Sequence, residues 1–508
     1  MGGFFGVVSK QHCAGDLFYG TDYHSHLGTA RGGMAVLSGK QEFQRAIRDI
    51  SNAQFRTKFE ADYIKFNVGN NACAGVGVIS DAEDQPLIIT SHLGTYAIVT
   101  VGLITNQEEL VQDLFFSRDL FPSREVHFSE RGQSGINATE LVAILINSQK
   151  TFREGVAFMQ SKIAGSCSLL ILTKEGVLYA ARDRYGRIPV IAGKKDGAVA
   201  VTMETSSFPN LEYEVEHELG PGEMVQCTPD GVRTLIKPGK QQAICSFLWV
   251  YFGYPASTYE GRNVEIVRHD CGAALSRLNR VEADFVGGVP DSGVAHALGY
   301  AAGSGIPYAR PFVKYTPTWA RSFTPKRHAD RKMAAQKKLI PVQELIRGKR
   351  LVFCDDSIVR GTQLRDQVKR LYDYGAKEVH IRIACPPLLY QCRFLNFSRS
   401  RNEMELITRR VIGKLAGADA DVALYRDASG EPYLQMVDVI RKHYGLESLA
   451  FQRVDDLVSS IGVPRDRLCT YCFTGEDVTS PHDCSHGCSR CAAPCGSGTR
   501  AEDTDLRS

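Results

Sequence analysis

Between Gly2 and about Lys240, short apolar runs alternate with polar turn signals. SLLILT, VLYAARD, PVIAG and AVAVTM read as β-strands, with helical patterns between them. That rhythm predicts a sandwich of sheets with helices outside. The polar string KPGKQQ at Lys237–Gln242 breaks the pattern and marks a boundary near residue 240. From Val264 the texture changes to strand, loop and helix in succession: DFVGGV then PDSGVAHALGYAAG, and KRLVFC then DDSIVRGTQLRDQVKRLYDYGAKEVHIRI. In the second of these units Leu364, Val368 and Leu371 share one helical face, and Gly375 is placed to cap its C-terminus. Such βαβ units imply a parallel sheet, so the fold class is α/β. From about Asn396 to Leu449 the pattern is again helical. The tail after Cys495, GSGTRAEDTDLRS, is expected to be disordered, and there is no internal repeat.

Composition narrows the function without choosing it. A chain of 508 residues is too long for one ordinary core and suggests about two to four domains. With 43% hydrophobic and 23% charged residues it reads as soluble and globular. The net charge is only +3, so no whole-chain field argues for nucleic acid or an acidic membrane. Met1–Lys10 has no basic region and no apolar stretch of useful length, and no run approaches the roughly 18 apolar residues of a spanning helix. A cytoplasmic location is therefore expected. The fifteen cysteines, six of them between Cys469 and Cys495, then read as buried thiols and metal ligands rather than disulfides.

The sharpest chemical signal is LVFCDDSIVRGT at Leu351–Thr362. A buried strand ends at two adjacent acids, and a loop of small and hydroxyl residues opens a helix whose free N–H groups suit phosphate. Ser357, Gly361 and Thr362 are fitted to a 5-phosphate. Asp355 and Asp356 are fitted to ribose hydroxyls and to magnesium over a pyrophosphate. The plain alternative is a strand-end turn with solvated acids. The whole string resembles the signature of the type I phosphoribosyltransferases, which implies 5-phosphoribosyl-1-pyrophosphate as ligand. Within GGVPDSG, at Gly287–Gly293, Asp291, Ser292 and Gly293 would form the loop facing the pyrophosphate. The basic stretch Lys314–Lys338 is either a solvated loop or a lid whose Lys314, Arg321 and Lys326 neutralise the leaving pyrophosphate. The expected ligand-binding set is thus Asp291, Ser292, Gly293, Lys314, Arg321, Lys326 and the loop Asp355, Asp356, Ser357, Ile358, Val359, Arg360, Gly361, Thr362, with Ser292, Asp355 and Asp356 around magnesium.

Further strings extend the resemblance over nearly the whole chain: CSFLWVYFGYP from Cys245, GAKEVHIRI, CPPLLYQC, LCTYCFTG from Leu468, RDRYGRIP from Arg182, METS from Met203 and PGEMV from Pro221. Together they resemble the glutamine phosphoribosylpyrophosphate amidotransferase family. The resemblance implies an N-terminal-nucleophile αββα sandwich of glutamine amidotransferase type over residues 2–240. A phosphoribosyltransferase domain over 241–475 and a Cys-rich tail over 476–508 follow. It also implies formation of 5-phosphoribosylamine for purine synthesis, with displacement of pyrophosphate by ammonia, and a homo-oligomer. The chain departs from the family at the glutaminase chemistry, which needs an N-terminal Cys whose own α-amine is the base. The aligned string is GGFFGV, with Gly2 in the place of the nucleophile. No Arg stands between Gly69 and Ala82 for the substrate carboxylate, Val101 replaces the oxyanion-hole Asn beside Gly102, and NATE at Asn137–Glu140 replaces the acid that holds the substrate amine. The fold is expected to persist without glutaminase activity, with free ammonia or a separate ammonia donor supplying nitrogen. A second reading is a silent regulator that keeps the loops to sense 5-phosphoribosyl-1-pyrophosphate, and a third is a transferase with another acceptor.

Cys469 and Cys472, in CTYC, have metal-ligand spacing. The resemblance implies that they join Cys245 and Cys392 around a [4Fe–4S] cluster, the alternatives being buried thiols or zinc. Cys167, Cys271, Cys354 and Cys385 fall in apolar patterns and read as core. Cys484, Cys488, Cys491 and Cys495, beside His482 and His486, are open to zinc, a second cluster, disorder or redox reactivity.

Overall fold

A computed structural model describes residues 2–68, 71–116, 128, 135–278, 280–315, 339–395 and 402–479. In the first half two antiparallel sheets lie face to face. One runs in the order Glu214–Glu218, Ile191–Lys195, Ala198–Thr202, Gly3–Ser9, Ala74–Ser80, Arg31–Leu37, Phe43–Asp49. The other runs Gly231–Ile236, Met224–Thr228, Leu178–Ala181, Gly165–Thr173, Gly94–Ile104, Leu87–Ser91. The string GFFGVVS is buried at every position because it is a central strand with a sheet face on either side. Its Gly6 lets the sheets approach, for a Cβ there would meet the Leu170 side chain of the opposite sheet at 2.8 Å. Helices Ala14–Asp22 and Phe55–Asn67 cover the outside of the first sheet, while Ala138–Asn147 and Phe152–Lys162 cover the second. Under the latter pair Leu141, Val142 and Leu145 pack with Tyr96, Ile98 and Ile171 in a satellite core.

The second half carries a parallel sheet in the order Phe285–Gly288, Arg350–Asp355, Glu378–Ile383, Ser448–Phe451. Helix Thr362–Asp373 buries Leu364, Val368 and Leu371, the face legible in the sequence, and Gly375 just beyond it has φ of 86°. Helices Val264–Leu278 and Val294–Ser304 cross closely: a Cβ on Gly272 would lie 1.9 Å from the His296 carbonyl oxygen, and one on Gly299 1.9 Å from that of His269. The sandwich strands end at Ile236 and the next strand is Ile244–Cys245.

One hydrophobic core runs through both halves, from Phe4 to Phe473. The seam is also polar and well paired. Glu204 is buried, takes a hydrogen bond from the Tyr259 hydroxyl at 2.6 Å and one from Ser257, and faces His26 at 3.1 Å. Burial opposes its charge, but His26 and the hydroxyls prevail and hold its carboxyl below the usual range. Among the described residues no helix is long and apolar enough to cross a membrane.

Candidate functional site

Two strand ends of the parallel sheet converge. After Phe285–Gly288 the chain turns through Asp291, Ser292 and Gly293 into helix Val294–Ser304. Gly293 lies so close to the neighbouring strand that a Cβ would sit 2.1 Å from the Cys354 carbonyl oxygen. That contact carries Ser292 to the second strand end, where its hydroxyl donates to Asp355 at 3.2 Å. The Asp355 carboxylate also accepts from the Asp356 N–H at 3.0 Å, and Ser357 donates to Asp356 at 2.5 Å. Gly361, with φ of 74°, turns the loop into helix Thr362–Asp373.

Burial pushes both acids up. Asp355 is raised further by the neighbouring charge of Asp356, whereas the Ser357 hydroxyl and the cation of buried Arg268 partly offset the rise at Asp356. A half-buried and a buried carboxyl side by side, with hydroxyls around them, form a site whose charge calls for a cation. Of the other expected residues, Lys314 is paired with Asp291, and Arg360 is exposed and paired with Glu405. Arg321 and Lys326 lie outside the described residues. The base of the segment that carries them is a short antiparallel pair, with Lys314 opposite Leu339.

A second cavity, of about 70 Å³, lies in the first half between the sheets. Its lining includes Gly2, Asp81, Glu83, Thr100, Val101, Gly102 and Cys167, and no Arg or Lys. It has room for several waters, each needing about 10–15 Å³, and is small beside the roughly 300 Å³ and more of drug-sized ligand pockets. Position 2 leaves no space for a side chain, since a Cβ would lie 2.2 Å from the Ile79 carbonyl oxygen. Cys167, on the wall, is buried, and burial with the nearby charges of Asp183 and Glu83 pushes its thiol far up, so it is no nucleophile. Sequence reading missed Glu83. Its carboxylate accepts from the N–H groups of Ala138 at 2.7 Å and Thr139 at 3.2 Å, and from the Thr139 hydroxyl at 3.2 Å. It fills the N-terminus of helix Ala138–Asn147 alongside the cap from Asn137. No motif in ISDAEDQP announces that role, because the partners lie more than fifty residues away.

The four expected cluster thiols come from separate places. Strand Ile244–Cys245 pairs in parallel with Leu468–Cys469, setting Cys245 opposite Cys469. Cys472 follows on the short helix Tyr471–Thr474, and its carbonyl accepts from the N–H groups of Leu389 and Tyr390, three and two residues before Cys392. The thiols are electrostatic neighbours: Cys392 and Cys469 both raise Cys245, and all three raise Cys472, after burial as the largest cause. They do not converge on one point. Among the described residues no three His, Cys, Asp or Glu side chains form a group that could hold a metal ion. Cys484, Cys488, Cys491 and Cys495 and the tail lie outside the described residues. Cys167, Cys271, Cys354 and Cys385 are buried as core residues.

Comparison with known proteins fits this geometry. A glutamine amidotransferase domain family matches residues 74–210. Amidophosphoribosyltransferase 1, chloroplastic, of Arabidopsis thaliana is 30% identical over 460 residues, covering 90% of this chain and 75% of the relative. The chain belongs to the amidophosphoribosyltransferase family. The Bacillus subtilis amidophosphoribosyltransferase is 29% identical over 499 residues, covering 94% of this chain and 96% of the relative. A solved structure of the glutamine phosphoribosylpyrophosphate amidotransferase of B. subtilis, complexed with ADP and GMP, superposes with a TM-score of 0.77 at 27% identity, over 93% of this chain and 96% of that one. The architecture is accordingly an N-terminal-nucleophile-hydrolase-like sandwich followed by a phosphoribosyltransferase parallel-sheet domain.

Proposed function

We propose that this amidophosphoribosyltransferase transfers the phosphoribosyl group of 5-phosphoribosyl-1-pyrophosphate to ammonia that its own first half does not release. The convergence of Ser292, Asp355, Asp356 and Ser357 supports the transferase half of that reading. The 5-phosphate would rest on the loop Ser357–Thr362 at the helix N-terminus, with Ile358, Val359 and Arg360 in its wall. Asp291, Ser292 and Gly293 would border the pyrophosphate. Magnesium fits the paired acids and the Ser292 hydroxyl, because oxygen donors with excess negative charge are what this ion takes, and when bound it offsets charge on the departing pyrophosphate. The bond from ribose C1 to pyrophosphate breaks, the ammonia lone pair forms the C1–N bond, and one proton is released. The acids orient the ribose and Lys314, freed from Asp291, meets the leaving group. Lys314–Lys338, with Arg321 and Lys326, would act as a lid.

The filled space at Gly2 and the lack of a cation in the first-half cavity support a silent glutaminase. A glutamine carboxylate there would meet Asp81 and Glu83 instead of an arginine. The halves 2–240 and 241–475 would then divide support and chemistry, with 476–508 as an appended tail. Cys245, Cys392, Cys469 and Cys472 would hold a [4Fe–4S] cluster, thiolates being its usual ligands. Purified anaerobic protein with 5-phosphoribosyl-1-pyrophosphate, magnesium and ammonium is expected to release pyrophosphate. Tight magnesium-dependent binding without release would instead identify a sensor.

A further inference from the structure

A buried cation of the seam, Arg187, lies in the loop between strands Leu178–Ala181 and Ile191–Lys195 of the sandwich. Its side chain is only 2% exposed. One terminal nitrogen donates to Cys469 Sγ at 3.6 Å, and the other to the Thr479 hydroxyl at 3.1 Å, with Asp477 at 3.6 Å. The guanidinium plane lies over the Phe394 ring, 3.4 Å from its centroid, two residues past Cys392. Its backbone carbonyl accepts from the Cys245 N–H at 3.0 Å. One residue of the first half thus touches the environment of three of the four thiols, while its buried Nε has no partner.

A buried guanidinium is costly unless compensating charge surrounds it. Asp183 is close enough to interact but serves Arg182 as well, and burial raises its carboxyl. Asp477 offsets part of the charge as well, and four neutral thiols would add nothing to that. An anionic cluster held by four thiolates would compensate it, and an N–H···S bond from a cation is among the features that set a cluster's potential and lifetime.

We propose that Arg187 is a positioning residue for the iron–sulfur cluster: it holds Cys469, clamps the Cys392 segment through Phe394, and ties the glutaminase-like sandwich to the cluster edge. This rests on the cluster reading above. With the positive charge and the hydrogen bond present, the one-electron reduced cluster, which carries the extra negative charge, is favoured; without them reduction is harder and iron is lost sooner.

The test uses the full chain, purified anaerobically, as wild type, Arg187→Lys, Arg187→Met and Thr479→Val, with iron and zinc content, reductive titration by dithionite and iron release to a chelator. Arg187→Met is expected to be reduced at a more negative potential and to lose iron about tenfold faster, the low end for loss of an outer partner of a metal site. Arg187→Lys should recover part of the potential, since it keeps the charge without the fork. Thr479→Val, which only loosens the guanidinium, should shift both readouts in the same direction by less, and it serves if Arg187→Met does not fold. A wild-type cluster with unchanged potential and iron release in the variants overturns the role of Arg187 and leaves the cluster standing. Zinc, or no iron, in the wild type overturns the cluster and this inference with it.

Discussion

The two halves treat their pockets in opposite ways. At the parallel sheet two carboxyls, one half-buried and one buried, are kept side by side, where burial disfavours the charge of both and the Asp356 charge further raises Asp355. Around the sandwich cavity, polar groups find protein partners instead. The backbone of strand Ala74–Ser80 closes on position 2, Glu83 satisfies the helix end, and Gln85 bonds both the N–H and the carbonyl of Thr100, at 2.7 and 3.2 Å. Retained strain is expected of a site under functional demand, and satisfied structure of the kind around Gly2 is what the proposed loss of glutaminase chemistry would leave.

The contrast breaks first at the acids. Asp355→Asn with Asp356→Asn should lower pyrophosphate release by more than about 1000-fold, comparable to loss of a principal electrostatic element of an active site. Calorimetric binding of 5-phosphoribosyl-1-pyrophosphate should lose its magnesium dependence. Unchanged binding would show that the ligand site lies elsewhere.

Next comes Gly2→Cys with Met1 removed. The missing oxyanion donor alone costs roughly 100- to 1000-fold, and the new side chain must displace the Ile79 carbonyl. Glutamate release should stay at background, and thermal unfolding should show a loss of about 1–3 kcal/mol from overpacking. Robust turnover in protein shown by mass spectrometry to lack Met1 would mean that the pocket opens and that other residues supply the clamp.

Much of this division could be read from the chain. The strands SLLILT and AVAVTM, the helix face Leu364, Val368 and Leu371, and the acid–acid–hydroxyl loop are local patterns, and local patterns survive in sequence. That Gly2 stands where the family resemblance expects the nucleophile was equally legible. The reason that position is closed was not, because it depends on the Ile79 carbonyl across a strand pair. The roles of Glu83 and of Arg187, which lies in the string RDRYGRIP, were hidden for the same reason: each acts on partners far along the chain. The metal-ligand spacing of Cys469 and Cys472 was evident, but not that a parallel strand pair sets Cys245 opposite Cys469.

Smaller effects sharpen the comparison. Glu83→Ala should cost about 1–2 kcal/mol in chemical denaturation by removing acceptors from a helix N-terminus, with no change in transferase rate. A fall in that rate would tie the cavity to the chemistry. The acids predict the reverse sign. Their folded carboxyls titrate above the unfolded ones, so the ionised pair destabilises the metal-free protein at neutral pH, and the penalty is relieved as pH falls through the raised values. Asp355→Asn should therefore stabilise metal-free protein by about 1 kcal/mol at neutral pH, a typical gain where function had been bought with stability. The gain should vanish at acid pH in thermal melts. Magnesium-dependent binding should weaken over the same descent, because protons compete for the same oxygens.

The central claim is that one half works and the other does not. The direct measurement is pyrophosphate release by the anaerobic wild-type chain, with 5-phosphoribosyl-1-pyrophosphate and magnesium, when nitrogen is offered as ammonium or as glutamine, with glutamate followed in parallel. The account predicts release with ammonium, and with glutamine neither release above background nor glutamate. Glutamine-supported release at a comparable rate, with stoichiometric glutamate and contaminating glutaminases excluded, would contradict it.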